Sequence, residues 1–265
     1  MNILAHPTSS FTPDHATLRI SRIQSGFDYP VTLAATTNNC DIYYATTLGT
    51  GGAQCAAKLQ PEVDGQYATA FEWFGMINQP RAKIIIAPLS TFHDGTGGAY
   101  HYSCVDPTLY CDYDQNNYKR TLALYVAELM EVFMGTQNGG TDCGANGGEA
   151  LSRFGSELAV PGVLDDFATV PTWLDGSRVD WINHNDPTDT NAVSTGCALA
   201  FLYWLNVIGG HSPLYICQSP GVTMADTYKS LTGDTRNAFS VFMQDVDKKY
   251  PTGQPSNLNI DNLFQ

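Results

Sequence analysis

The sequence predicts an α+β fold in which a sheet-containing N-terminal half is followed by a helical C-terminal half. Three observations predict it. Before about Asn117, strand-like runs are separated by Gly, Asp, Asn and Pro turns. After it, apolar residues recur at the three- and four-residue spacing of helices. The chain, 265 residues of which 43% are hydrophobic, is long enough to bury a full core.

Taken in order, "YPVTLAATT", "CDIYYATT", "AKIIIAPL", "GAYHYSC" and "LYCDY" read as strands, and the helical stretch "GQYATAFEWFGMI" interrupts them. Helices are then expected over Tyr118 to Met134, Gly148 to Leu158, Val193 to Ile208, Thr223 to Leu231 and Asn237 to Lys248. The loop from Gly135 to Gly148 is the candidate boundary. It would divide a sheet-containing half with a central glutamate helix, residues 1–135, from a helical subdomain, residues 136–265, unless the chain is one domain.

Charge narrows the partners. With 26 acidic against 13 basic residues the net charge is −13 and no basic cluster appears, so nucleic acid and anionic membrane surfaces are poor partners. The longest apolar run, "CALAFLYWLNVIGG", has the size of a buried helix, so no membrane span is expected. Seven cysteines point to an oxidising compartment. Short spacing suggests the pairs Cys40–Cys55 and Cys104–Cys111, with Cys197 joined to Cys217 or Cys143. The expected location is secreted or periplasmic. Because "MNILAHPTSS" is no signal peptide, a leader would have been removed or lie outside this chain.

The segment with the most chemistry is "YVAELMEVFMGTQNGGTDCGANGGEALSRF". Steps of about 100° put Leu122, Tyr125, Val126, Leu129, Val132 and Phe133 on one face of its helix. The opposite side holds Leu124, Ala127 and Met134, with Glu128 and Glu131 among them. A helix apolar nearly all round is a buried helix. Two glutamates three residues apart are neighbours on it, and no Lys or Arg stands three or four residues from either. Such a pair needs a cation, a distant Arg, a shared proton or an open cleft. A third glutamate, Glu149, has two structural explanations. Asn146 three residues before it suggests a capping box, and Arg153 four residues after it suggests a helical ion pair.

The order of these residues resembles the gluzincin branch of zinc metallopeptidases. There a His-Glu-x-x-His helix follows a sheet, and a glutamate on the next helix completes the metal site. The resemblance implies a zincin-like fold, with "AELME" at the signature. Glu128 then stands at the catalytic glutamate, Ala127 and Glu131 at the two histidine positions, and Glu149 at the third ligand. It also makes "GGAYHYSC" the edge strand along the cleft, with Tyr100 and His101 as candidate substrate-binding residues. More closely, "VAELMEVFM", "NGGEALSRF", "STGCALAFLYWL" and "YKSLTG" resemble an uncharacterised bacterial protein family in which these blocks recur in this order. Carboxylates in place of histidines suit hard divalent cations rather than zinc.

The expectation is therefore a secreted, zincin-like protein with a carboxylate-lined cleft. It acts as a non-catalytic pseudo-peptidase that binds a peptide or small polar ligand. The alternative is a metal-dependent hydrolase in which Glu128 is the general base and Glu131 and Glu149 hold a divalent cation. A third reading is a Cys-His hydrolase at Cys197, which starts an apolar helix, with His184 or His211 as base. The loop "NHNDPTDTN" adds Asp186 and Asp189 as candidate calcium ligands, although the same residues serve ordinary turns.

Overall fold

A computed structural model describes residues 18–21, 28–89, 99–100 and 103–265. Its sheet has the order β1-β2-β3-β4-β6-β5, formed by β1 (Leu18–Ser21), β2 (Asp28–Thr36), β3 (Cys40–Ala45), β4 (Ala82–Ala87), β5 (Ala99–Tyr100) and β6 (Thr108–Asp112). β1, β2 and β3 pair antiparallel, β3, β4 and β6 run parallel, and β5 closes the edge antiparallel to β6. The sheet is thus mixed, and its parallel steps require crossovers. The first crossover is α1 (Gly49–Phe74).

Strand alternation divides the sheet into two faces. Ile84, Ile86, Leu109 and Cys111 enter the main core, whereas Ile85, Ala87 and Tyr110 join Val31, Ala45 and Leu89 in a small cluster on the other side. The main core is continuous from Cys40 to Leu263 and so draws on both halves of the sequence.

On the main-core side α1 packs against α2 (Tyr118–Gln137), with the Phe133 ring edge-on to Tyr67 at 5.2 Å and to Phe71 at 6.1 Å. α1 begins at Gly49, well before the expected Gly65. Gly51, Gly52 and Pro61 look like helix breakers in sequence. However, Gly52, Cys55, Ala56, Leu59, Val63, Tyr67, Ala70 and Phe74 make one buried stripe, and that burial outweighs their low helix propensity.

Beyond α2 come α3 (Asn146–Ala159), the short α4 (Val170–Leu174), and α5 (Ala192–Tyr203), which runs into a π-turn over Trp204–Ile208. The short α6 (Pro213–Cys217), α7 (Met224–Thr232) and α8 (Ala238–Lys249) complete the fold. α3 packs on α2 and on α5, and α5 on α4, so α2 lies between the sheet side and the helical layer. Trp173 and Phe201 on this layer pack against Phe242 of α8 at 5.6 Å and 5.4 Å. The architecture is therefore α+β, as expected. The strands predicted over residues 29–37, 40–47, 82–89 and 109–113 each appear within a few residues of their positions.

The cysteine pairing differs from the expectation. Cys104 is bonded to Cys143, while Cys40, Cys55, Cys111, Cys197 and Cys217 are free and buried. Cys40 Sγ lies 3.3 Å from Tyr125 Oη, and Cys55 Sγ lies 3.9 Å from Thr121 Oγ1. Both thiols therefore face α2, but a full helical turn apart, on the order of 5 Å along the axis. Cys111 is fully buried in the main core from β6, whereas Cys104 is only partly buried at its margin. Short sequence spacing was a poor guide because Cys40 and Cys55 meet α2 at different turns, and Cys104 is brought to Cys143 by the fold. No helix among the described residues is long and apolar enough to cross a membrane.

Candidate functional site

Every residue of α2 from Thr121 to Met134 is buried, including Glu128 at 8% exposure and Glu131 at 9%. Their burial follows from the helix's position: α1, β6 and α3 all pack against it. α3 approaches α2 closely. The space a Cβ would need at Gly155 is filled by the Met130 side chain, and Ser156 Oγ donates to the Ala123 carbonyl at 2.7 Å. A glycine and a small polar residue thus bring the two helices together and carry Glu149 toward Glu131.

The glutamates meet as a set. Glu131 and Glu149 face each other across the two helices closely enough for each to bear on the other's ionisation. The Ser152 hydroxyl is within reach of two acceptors, the Glu131 carboxyl and the Glu149 carbonyl, the latter at 2.9 Å. Arg153 Nε lies 3.4 Å from Glu149 Oε1, the ion pair the sequence suggested. Glu149 keeps 27% of its side chain exposed and so marks the outer edge of the cluster.

The electrostatics follow from burial. Loss of water holds Glu128 well above the ordinary carboxylate range, and the charges of Glu149 and Asp189 push it further. Burial also raises Glu131, reinforced by Glu128, Glu149 and Asp189 and opposed by the Ser152 hydrogen bond. Glu149 is raised by burial as well. There Arg153 and the nearby Glu131 carboxyl oppose the shift, and Asp189 adds to it.

Asp189 is the member whose place the sequence did not reveal. It is exposed, yet its charge acts on all three glutamates. Its loop is held by Asn146. The Asn146 carboxamide accepts from Asp186 N at 3.0 Å and donates to the Ser194 carbonyl at 3.4 Å, while its backbone N–H donates to the Asp186 carbonyl at 3.0 Å. The expected capping box is not formed. Ala145 occupies the N-cap without a side-chain bond, because Asn146 has been drawn into this tertiary tie. Nothing in the sequence distinguishes a capping Asn from a tying Asn, since both stand at the start of a helix. Asn146→Ala is expected to lower stability by about 1–3 kcal/mol, because it leaves buried backbone groups unpaired. Urea melts showing less than about 0.5 kcal/mol would contradict this role.

The two loop aspartates have different surroundings. Asp186 is buried, and its Oδ2 accepts from Asn191 Nδ2 at 2.7 Å, a bond that shapes the loop before α5. Asp189 turns its charge on the glutamates instead. The N-cap of α5 is Asn191, whose side chain accepts from Val193 N at 3.1 Å. Tyr100 pairs with Tyr110 at the sheet edge, but its side chain lies outside the described residues, as does the whole of His101.

Cys197 is fully buried within α5, and burial pushes its thiol far up, so the helix start does not furnish a thiolate. His184 is exposed, with Nδ1 3.1 Å from the Asp180 carbonyl.

Among the described residues, one group of acid or thiol ligand atoms lies mutually within 4.8 Å: Cys104, Asp142 and Cys143. Two of these three are joined as a disulfide and offer no thiolate. The glutamates are spread more widely than that, so the set suits a ligand reaching across it or a hydrated ion held by one or two carboxylates. Set against protein-family models and against curated proteins, the chain gives no match.

Proposed function

We propose that this protein is a secreted, zincin-like binding protein, a pseudo-peptidase whose carboxylate-lined cleft receives a peptide or small polar ligand through a positively charged group. The observation that carries this reading is the convergence of Glu128, Glu131 and Glu149 from two packed helices, with Asp189 adding its charge from a third segment. A protonated amine supplies a positive charge together with N–H donors, and carboxylates accept such bonds strongly. The element order supports the zincin-like part of the proposal: a mixed sheet precedes α2, and α3 carries Glu149 toward it. The Cys104–Cys143 bridge supports an oxidising location.

Peptide hydrolysis would need a nucleophile. Zinc is held best by neutral imidazole and thiolate donors, and carboxylates alone favour Ca²⁺, Mg²⁺ or Mn²⁺. Without a tightly held Lewis acid the pKa of a bound water is not brought near neutrality. The protein is therefore expected to leave casein and a peptide library uncleaved, with zinc or without it. Zinc-dependent cleavage abolished by Glu128→Gln would overturn the proposal.

One observation favours a second reading, a metal-dependent hydrolase. Glu128 is raised above the ordinary carboxylate range, the direction that suits a general base working near neutral pH. Metal analysis of protein purified without chelators or nickel resin separates the readings. A stoichiometric divalent ion together with hydrolysis supports the enzyme, and its absence together with amine binding supports the binding protein.

A further inference from the structure

The surroundings of the Cys104–Cys143 bridge set it apart from the other cysteines. Six of the seven cysteines are buried, and Cys104 alone keeps partial exposure. A bridge with one partly exposed cysteine is open to attack by an external thiolate, as a bridge sealed in the core is not.

The segments that carry the two cysteines are also held together by packing. The Cys104 carbonyl fills the space a Cβ would need at Gly135 of α2, and the Asp142 carbonyl fills that at Gly148 of α3. Ala145 N donates to the Asp142 carbonyl at 3.1 Å. One segment thus rests on α2 and the other on α3, and these helices pack on each other. Opening the bridge therefore leaves the two thiols close.

A third ligand stands beside them. Asp142 is exposed, and its Oδ1 lies 3.9 Å from Cys104 Sγ, oriented by the Gly144 N–H that donates to it at 3.1 Å. The ligand atoms of Cys104, Asp142 and Cys143 lie within 4.8 Å of one another. Tetrahedral zinc, with bonds of about 2.3 Å to sulfur and about 2.0 Å to oxygen, sets two sulfurs about 3.8 Å apart and a sulfur and an oxygen about 3.5 Å apart. The Cα atoms of the two cysteines are 5.9 Å apart, so rotation of the freed side chains about χ1 reaches that spacing with the backbone in place.

We propose that reduction of the Cys104–Cys143 bridge creates a zinc site, in which both thiolates and the Asp142 carboxylate hold the ion and water takes the fourth position. A small dithiol supplies the two electrons. One of its thiolates attacks Cys104 Sγ and Cys143 leaves as a thiolate. Its second thiol then releases Cys104, and the dithiol closes into its own disulfide. Zinc takes the place of the proton on each cysteine thiol, so two protons are released. Two thiolates select zinc over the hard cations that carboxylates alone favour. The site stands apart from the glutamate cleft and does not depend on how that cleft works.

The full chain, reduced with a phosphine and desalted without oxygen, is titrated with cobalt(II) and then with zinc. The thiolate-to-cobalt charge-transfer band reports sulfur ligation. The reduced chain should bind one cobalt ion with that band, zinc should displace it, and the oxidised chain should show none. Saturating zinc should raise the melting temperature of the reduced chain, because it binds the folded form. Asp142→Asn keeps both cysteines and the acceptor for Gly144. It should weaken cobalt binding by at least the roughly tenfold that loss of an outer-sphere partner costs. Cys143→Ser should abolish the band while near-ultraviolet circular dichroism shows a folded chain; if this variant unfolds, Asp142→Asn decides. Four results would overturn the proposal. They are no band from the reduced chain, a band of equal strength from the oxidised chain, unchanged affinity in Asp142→Asn, or a band that appears only as the circular dichroism is lost. The last would assign the metal to core thiols exposed by unfolding.

Discussion

Replacing Cys104 and Cys143 together by serine is expected to lower the free energy of unfolding by about 4 kcal/mol. The bridge closes a loop with a sequence separation of 39 residues, and the chain-entropy relation gives this magnitude for a loop of that length. The effect should also reach the candidate site. The space a Cβ would need at Gly135, near the end of α2, is filled by the Cys104 carbonyl, and that at Gly148, in the first turn of α3, by the Asp142 carbonyl. The disulfide therefore sits where the turn before β6, the end of α2 and the start of α3 meet. Releasing it loosens the joint that sets Glu149 against Glu131. Urea titration of the double variant beside the parent, both without reductant, measures the loss. A change below about 1 kcal/mol would mean that the closed loop contributes little and that packing alone holds the joint. Non-reducing peptide mapping adds an independent check: Cys40, Cys55, Cys111, Cys197 and Cys217 should take alkylating agent only after unfolding.

The parts of this molecule legible in its sequence are those that local patterning controls. β3, β4 and β6 carry alternating or continuous apolar residues, and α2 is apolar round its whole circumference, so strand, helix and burial follow directly. Burial of Glu128 and Glu131 was readable for the same reason. The Glu149–Arg153 pair was readable because it lies within one helix. What was not legible depends on tertiary geometry. Asn146 has the composition of a cap, but it ties down the loop of Asp186, and only the fold chooses between the two. Asp189 lies forty residues from Glu149 by numbering, and nothing local predicts that its charge bears on the glutamates. The first turns of α1 were hidden because Gly51 and Gly52 read as loop, whereas the Tyr113 and Tyr44 side chains occupy the space above them. Equally hidden was the hollow walled by Arg153 and Glu157 of α3, by Asp165 and by Asp261, which come from three segments with no shared motif.

Glu128→Gln is expected to stabilise the protein at alkaline pH and to do nothing for it in acid. The sign follows from the raised carboxyls. Folding holds protons on Glu128, Glu131 and Glu149 that the unfolded chain releases near its ordinary value of about 4.3. The stability they contribute is complete below that value and is lost as pH rises through their folded-state values. Carboxylates held low by partners, such as Asp41 beside Arg81, act in a different window. Their contribution is present above about pH 4 and disappears as acid protonates them. Between about pH 5 and pH 8 the glutamate cluster therefore sets the slope, with Glu157 and Asp261 acting in the same direction. Glutamine at position 128 keeps the shape of the side chain and removes one charge from the set. The variant should show a shallower loss of stability with pH, and at pH 8 it should exceed the parent by about 1–3 kcal/mol, the usual range for relieving a buried charge conflict. Comparing the two at each pH cancels Glu157 and Asp261, because both proteins contain them. A variant less stable than the parent at pH 8 by more than about 1 kcal/mol would reverse the argument. Glu128 would then be a carboxylate held ionised by a cation, and the hydrolase reading would gain the metal it requires.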